Sequence, residues 1–412
     1  MQGRRFAGET SALRGVYAAL RAATLEDATT ERLFRVCCEA LRAEGLPIER
    51  AYLAFRVLHP LFQAKSFVWE GSGRLVEDRH VTSAADPASP FRSSPQYHLL
   101  SQREPSLRRR LRGPEASLDF PVLGELAAEG MSDYRAFVAR FGRGADEGLV
   151  GSWTLAAPES FSEADLALLE EAENQLAVLM KAAIKEEIAR ALVDTYLGGD
   201  AGRRVLAGGI RRGDADEIEA VIWYADLRDS SRHAERLGPA GYLALLDRYF
   251  EAVAAAIAEA GGQILLLIGD AVLAIFPIEP ADAPALRSAR EAAACRAALA
   301  AAAEARDRLA AGNAERPGEP PLACGLSLHV GRFLFGNIGV PERLQFTAVG
   351  PAVNLAARLE DLCKRLEEPL LASAAFAGAL PEVSWRGLGG HALRGLEGLQ
   401  QVYAPPIRAP RF

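Results

Sequence analysis

Ile264-Leu265-Leu266-Leu267-Ile268-Gly269-Asp270-Ala271-Val272-Leu273-Ala274-Ile275-Phe276 decides how the rest of the chain reads. Two apolar runs flank a Gly-Asp dipeptide. That pattern predicts two buried strands joined by a two-residue turn, because glycine supplies the positive φ that a tight hairpin turn needs. An acid at the tip of so apolar a hairpin is either a solvated turn residue or a carboxylate held toward something cationic.

The segments around the hairpin predict one domain over residues 218–406. The order is a strand over 220–225, a helix over 239–260, the hairpin over 263–276, and a helix over 283–311. Strands over 322–330, 333–337 and 345–349 follow, then a helix over 351–366 and short terminal elements. Pro239 suits a first helical turn. A βαββαβ order of this kind predicts an α+β, ferredoxin-like domain: a mostly antiparallel sheet with helices on one face.

The first strand ends in Tyr224-Ala225-Asp226-Leu227-Arg228, so it too delivers an aspartate from an apolar run. Adjacent in one sheet, Asp226 and Asp270 would face one another. A bare carboxylate pair is unfavourable. A divalent cation between the two resolves this, and oxygen-only ligands favour Mg²⁺ or Mn²⁺. On the 351–366 helix, Asn354 and Arg358 stand four apart and project from one face. Leu355, Leu359, Leu362 and Leu366 form an apolar stripe to one side of them. Arg358 offers a planar donor fork suited to phosphate oxygens.

Upstream, residues 1–29 read as a helical segment and 30–160 as a separate domain. A helix over 31–42 is followed by strands over 51–57, 64–69, 134–141 and 148–155, with a polar Pro- and Ser-rich loop over 83–95. A helix followed by an antiparallel sheet resembles a GAF-type α/β sensory domain. Such a resemblance implies a small-molecule or protein input whose identity is unknown. Residues 161–217 form a linker. Ser162 and Asp165 occupy capping-box positions, Phe161 can staple onto Leu166, and apolar residues recur to Tyr196 before Gly198-Gly199 stops the helix. This helix is either a stalk pairing two protomers or one packed on its own domain. Leu197-Gly198-Gly199-Asp200 reads as a helix stop, and the basic run Arg108-Arg109-Arg110 with Arg112 as a solvated face.

The 412 residues are half apolar and a quarter charged, with a net charge of −7 that leaves no footprint for nucleic acid. The five cysteines make no paired motif and the six histidines no metal-ligand spacing, which suits reduced thiols and a cytoplasmic setting. No run is long enough to span a membrane.

Taken in order, the motifs of 218–404 resemble the catalytic domain of the class III nucleotidyl cyclases. The matches are Ala225-Asp226-Leu227-Arg228, Gly261-Gly262, Ile268-Gly269-Asp270, Gly336-Asn337-Ile338-Gly339 and Phe346-Thr347 with Gly350. Val353-Asn354-Leu355-Ala356-Ala357-Arg358-Leu359-Glu360 and Leu393-Arg394-Gly395 complete the series. The resemblance implies two Mg²⁺ or Mn²⁺ ions held by Asp226, Asp270 and the Leu227 carbonyl, with Asn354 orienting the ribose. Arg358 would stabilise the α-phosphate, and Arg394 would meet the triphosphate. It implies a nucleoside triphosphate substrate, ATP by analogy, and a homodimer in which each site draws on both chains.

Two positions depart from the family. Leu266 stands where purine-specific members carry a lysine that reads the base together with the residue at Thr347. Asp229-Ser230-Ser231 replaces Gly, an aromatic and Thr. Residues 264, 266 and 268 are expected on one strand face. Loss of the base-reading donor should weaken discrimination by about 1–3 kcal/mol. Three readings follow: an adenylyl-type cyclase tolerating Leu266, a cyclase of altered base choice that takes GTP or pyrimidine nucleotides, and a catalytically weak nucleotide-binding regulatory module.

Overall fold

The computed structural model describes residues 2–81, 89–142 and 148–406. Residues 83–88 of the expected polar loop lie outside the described residues. The chain divides into two compact units, Met1–Thr195 and Tyr196–Phe412.

The first unit contains α1 (Gln2–Leu25), α2 (Thr30–Ala43), β1 (Ile48–Arg56), β2 (Ala64–Glu70), β3 (Leu75–His80), α3 (Pro95–Gln102), β4 (Ser106–Arg110), α4 (Pro121–Ala128), β5 (Met131–Arg140), β6 (Gly148–Ala156) and the start of α5 (Glu163–Leu197). Its antiparallel sheet runs β3-β2-β1-β6-β5-β4. Side chains alternate between two cores, as a sheet with helices over both faces requires. Phe34, Phe67, Trp69, Trp153, Leu169 and Leu176 pack in one, and Leu99, Leu123, Leu126 and Tyr134 in the other.

The α5 start is a reciprocal capping box: Asp165 N–H donates to Ser162 Oγ at 3.2 Å and Ser162 N–H to Asp165 Oδ2 at 2.8 Å. Leu169, Ala172, Leu176, Met180 and Ile184 of α5 are buried in their own unit. The Glu173 carboxylate accepts from Arg135 and from the Trp153 indole, all three buried, and fixes α5 to the sheet. The basic run is not a solvated face throughout. It forms edge strand β4, where Arg108 binds the fully buried Asp133 at 2.6 Å and Arg109 binds Asp119. A buried carboxylate requires such a partner.

The second unit continues with α6 (Gly199–Leu206), β7 (Ala215–Leu227), α7 (Ser230–Glu259), β8 (Gln263–Ile268), β9 (Ala271–Pro277), α8 (Pro284–Glu315), β10 (Cys324–Val340), β11 (Arg343–Val349), α9 (Pro351–Leu366), β12 (Leu370–Ser373), α10 (Ala374–Ala379), β13 (Arg386–Ala392) and β14 (Leu399–Ala404). The sheet order is β13-β14-β12-β10-β7-β9-β8, with β11 folded back on β10. All pairs are antiparallel except β10 with β12.

The expectation of helices on one face needs correction. Val221, Trp223, Ala225 and Leu227 of β7 pack with α7 and α8. Ala220, Ile222 and Tyr224, alternating with them, pack on the opposite face with Ala201 of α6 and Ala352 and Ala356 of α9. The two strands expected over 322–337 are a single strand, β10, because pairing with β7 runs unbroken from Cys324 to Gly336. In α7 the helix breaks at Gly238 (φ 66°, ψ 177°) and restarts at Pro239. No described helix is long and apolar enough to cross a membrane.

Candidate active site

The hairpin forms where its sequence predicts, but only β9 is buried; β8 ends the sheet, so its apolar side chains are half-buried or, at Leu267 and Ile268, exposed. Ile268 pairs with Ala271 and Leu267 with Val272, leaving Gly269-Asp270 as the two-residue turn. Gly269 has φ +65° and Asp270 does not have positive φ, the pattern of a type II′ turn, which wants glycine first. β7 pairs with β9 so that Asp226 faces Ala271, the residue after Asp270. The two carboxylates therefore meet at one end of the sheet. Burial, then the charge of Asp270 and a hydrogen bond to it, push the Asp226 carboxyl up to about 6. Two adjacent carboxylates, one of them raised by burial and by the charge of the other, are a hard-oxygen donor set short of positive charge, and they fit a divalent cation. Leu227 is 3% exposed with its side chain in the α7/α8 core. Only its backbone carbonyl can serve a ligand. Among the described residues, no group of three or more His, Cys, Asp or Glu side chains is arranged to hold a metal ion.

Three residues to which the sequence reading gave no role, Arg228, Glu360 and Tyr224, stand near the pair. Arg228, two positions after Asp226, binds Glu360 of α9, Nη1 to Oε1 at 3.2 Å. The Glu360 side chain is only 4% exposed. Burial raises its carboxyl to about 7, Arg228 opposing the rise and Asp226 adding to it. Tyr224, on the same strand face as Asp226, has its hydroxyl raised by burial and then by the neighbouring acids. The sequence held one signal for this, a cation two residues from a candidate ligand; nothing local marked Glu360 as buried.

Helix α9 is pinned to the sheet by Ser327, whose hydroxyl donates to the Ala356 carbonyl at 2.7 Å, and by Leu359, Leu362 and Cys363. Asn354 and Arg358 flank this packing face and are exposed. Arg358 makes a local ion pair with Asp361 at 2.9 Å. Among the described residues, no hydrogen bond or ion pair joins Asn354, Arg358 or Arg394 to Asp226 or Asp270. Arg394 is exposed between β13 and β14, and Thr347 is half-buried on β11 opposite Gly336. A single chain thus brings the acids together and leaves Asn354, Arg358 and Arg394 facing out.

Leu266 requires a second correction. Ile264 pairs with Ala274 and Leu266 with Leu273, so β8 carries a bulge at Leu265. The bulge puts Ile264 on the α7/α8 face and Leu266 on the α9 face, not on one face together. Leu266 still lies on the side that carries Tyr224, where its apolar side chain joins the core against α9. Asp229, the other departure, is exposed in a left-handed conformation (φ 57°) at the start of α7 and caps nothing.

No protein-family model matches the chain. Adenylate cyclase 1 of Rhizobium meliloti is 32% identical over 188 residues, 45% of this chain and 27% of that protein. The adenylate cyclase of Anabaena cylindrica is 31% identical over 162 residues, 38% of this chain and 30% of that protein. The chain thus spans under a third of the length of these curated relatives. The crystal structure of the adenylyl cyclase CyaB from P. aeruginosa aligns with 48% of this chain and 98% of its own at 22% identity and a TM-score of 0.42. With the paired acids and the Asn–Arg helix in place, these sequence relationships show that the chain carries a domain of the class III nucleotidyl cyclase family.

Proposed function

We propose that the chain converts ATP to 3′,5′-cyclic AMP and pyrophosphate at sites shared by two copies, under control of a GAF-like sensory N-terminal unit. The carrying observation is the division of the site. Asp226 and Asp270 meet at the sheet end, while the side chains of Asn354 and Arg358 on α9 are exposed and, among the described residues, make no hydrogen bond or ion pair with them. Exposed apolar side chains supply area for a second copy: Leu267 and Ile268 by the turn, and Leu334, Val340, Leu344 and Val349 on the β10–β11 ribbon. A nucleoside triphosphate substrate and five buried free cysteines suit the cytoplasm.

Asp226, Asp270 and the Leu227 carbonyl would hold two divalent ions, which when bound supply Lewis acidity to the ribose 3′-hydroxyl and charge to the triphosphate. The chain's own groups do the rest. Asn354 of the second copy orients the ribose. Arg358 exchanges its exposed pairing with Asp361 for the α-phosphate, where negative charge builds as the 3′-oxygen attacks and pyrophosphate leaves. Arg394 binds the triphosphate. Thr347 offers the base a hydroxyl, and Leu266 offers only an apolar contact. That contact favours a second reading, altered or relaxed base choice, since a site without the polar group cannot reject a base that lacks its partner.

The test is a product assay with ATP, GTP, CTP and UTP, each with Mg²⁺ and with Mn²⁺, at high protein concentration. Cyclic AMP as the main product is expected. Cyclic product from another nucleotide transfers the proposal to that base, and no product from any of the four refutes it.

A further inference from the structure

Arg228 is two residues from Asp226, and its charge opposes the rise of that carboxyl. Two adjacent carboxylates are a natural partner of a guanidinium, whose fork matches their oxygens. Yet the ion pair recorded for Arg228 among the described residues is with Glu360. The sheet makes room for this pairing. Gly325 of β10 lies directly opposite Asp226. A Cβ there would stand 2.1 Å from Arg228 Nη2 and 2.2 Å from Glu360 Oε1. The missing side chain leaves a notch in the sheet surface, and both charged groups lie in it. Packing alone does not account for the pair. Burying two charges costs more than burying apolar groups of the same shape, and Glu360 Oε1 is buried without an aligned hydrogen bond.

We propose that Glu360 is a positioning residue that holds Arg228 in the Gly325 notch, keeping its guanidinium off Asp226 and Asp270 so that the acid pair stays open to divalent cations. The inference rests on the metal-binding role given to those aspartates above. Released from Glu360, Arg228 would swing onto the acids, and a cation supplied by the chain would compete with the metal. The defect in a Glu360 variant therefore comes from Arg228, and removing Arg228 as well should cure it. A merely structural role predicts the opposite, that a second substitution in the same notch adds damage.

The experiment is a Mn²⁺ titration of the full chain, with free Mn²⁺ read by electron paramagnetic resonance at pH 7.5. E360Q keeps the shape and removes the charge, and is expected to raise the Mn²⁺ Kd at least five-fold. R228Q/E360Q is expected to return within two-fold of the parent. G325A displaces the pair without altering any charge and should also weaken binding, with R228Q/G325A restored; this second pair carries the comparison if E360Q does not fold. An unchanged Kd in folded E360Q, or a double variant as weak as the single one, overturns the proposal. So does a parent that binds no Mn²⁺. A parent that binds Mn²⁺ with this pattern but forms no cyclic nucleotide sinks the cyclase reading and supports the positioning role.

Discussion

Asp270→Asn should make the metal-free protein more stable while abolishing its turnover. The substitution keeps the turn, since positive φ falls on Gly269. Asp226 stands at about 6 against an ordinary 3.8, a differential interaction of about 3 kcal/mol if none were screened. Burial is the largest cause and survives the substitution; the charge of Asp270 comes second and is removed. Asp226 is also only partly buried, so solvent screens the repulsion further. About 1 kcal/mol of repulsion is left to be relieved, or roughly 2–4 °C in Tm for a domain of this size. The sign with pH follows from linkage. A carboxyl raised in the folded state binds more protons there than in the unfolded chain between pH 4 and 6. Its contribution therefore lowers stability as pH rises through that window, and the loss persists above it. Calorimetry in EDTA at pH 5 and 7.5 reads both effects: the variant should exceed the parent most at pH 7.5. Added Mn²⁺ should raise the Tm of the parent and not that of the variant. A variant less stable than the parent at pH 7.5, or one stabilised equally by Mn²⁺, refutes the reasoning.

Asp270→Ala and Asn354→Ala should each be inactive, yet a mixture of the two should recover turnover through one intact composite site; confirmed mixed dimers without activity would refute the shared arrangement. Leu266→Lys should raise purine turnover over the parent, because a lysine there can follow the apolar surface and extend its ammonium to the base; unchanged kcat/KM for ATP and GTP would place base reading elsewhere. His329, whose Nδ1 lies 2.8 Å from the Ser373 hydroxyl, is lowered by burial to about 4 from 6.5. Its contribution is full above pH 6.5 and lost as pH falls toward 4, by up to about 3 kcal/mol. In denaturant unfolding, His329→Gln should lose less stability than the parent between pH 7 and pH 4.5, and equal losses would exclude His329 as the source.

What was legible in the sequence was local. The hairpin of 263–276 announces itself by two apolar runs around Gly-Asp, and α9 by a stripe of leucines with Asn354 and Arg358 beside it; a few neighbouring residues fix each element and the side its groups take. The α5 cap was readable for the same reason, as Ser162 and Asp165 need only each other. Edge strands β3 and β4 of the first unit escaped notice because Leu75–His80 and Ser106–Arg110 carry little apolar alternation. They are held by the strands beside them, and that pairing is not written in their own residues.

The errors near the site share one physical origin, strand register, and register is not a local property. Counting by twos from Ile264 puts Leu266 on its face, and one extra residue at Leu265 reverses that. The same holds for Glu360. On a helical wheel it is an acid beside an apolar stripe, with every reason to face water. It is buried because β10 presents Gly325 opposite Asp226, and because Arg228 emerges from β7 at that level to meet it. Three elements distant in sequence must be in register before the charge has a place to go. The residues proposed for catalysis could thus be picked out from local motifs, whereas the notch proposed to keep Arg228 off the acid pair exists only once the sheet has formed. Beside the cation two residues from Asp226, a glycine within a strand, costly to strand stability in itself, was the trace it left in the sequence.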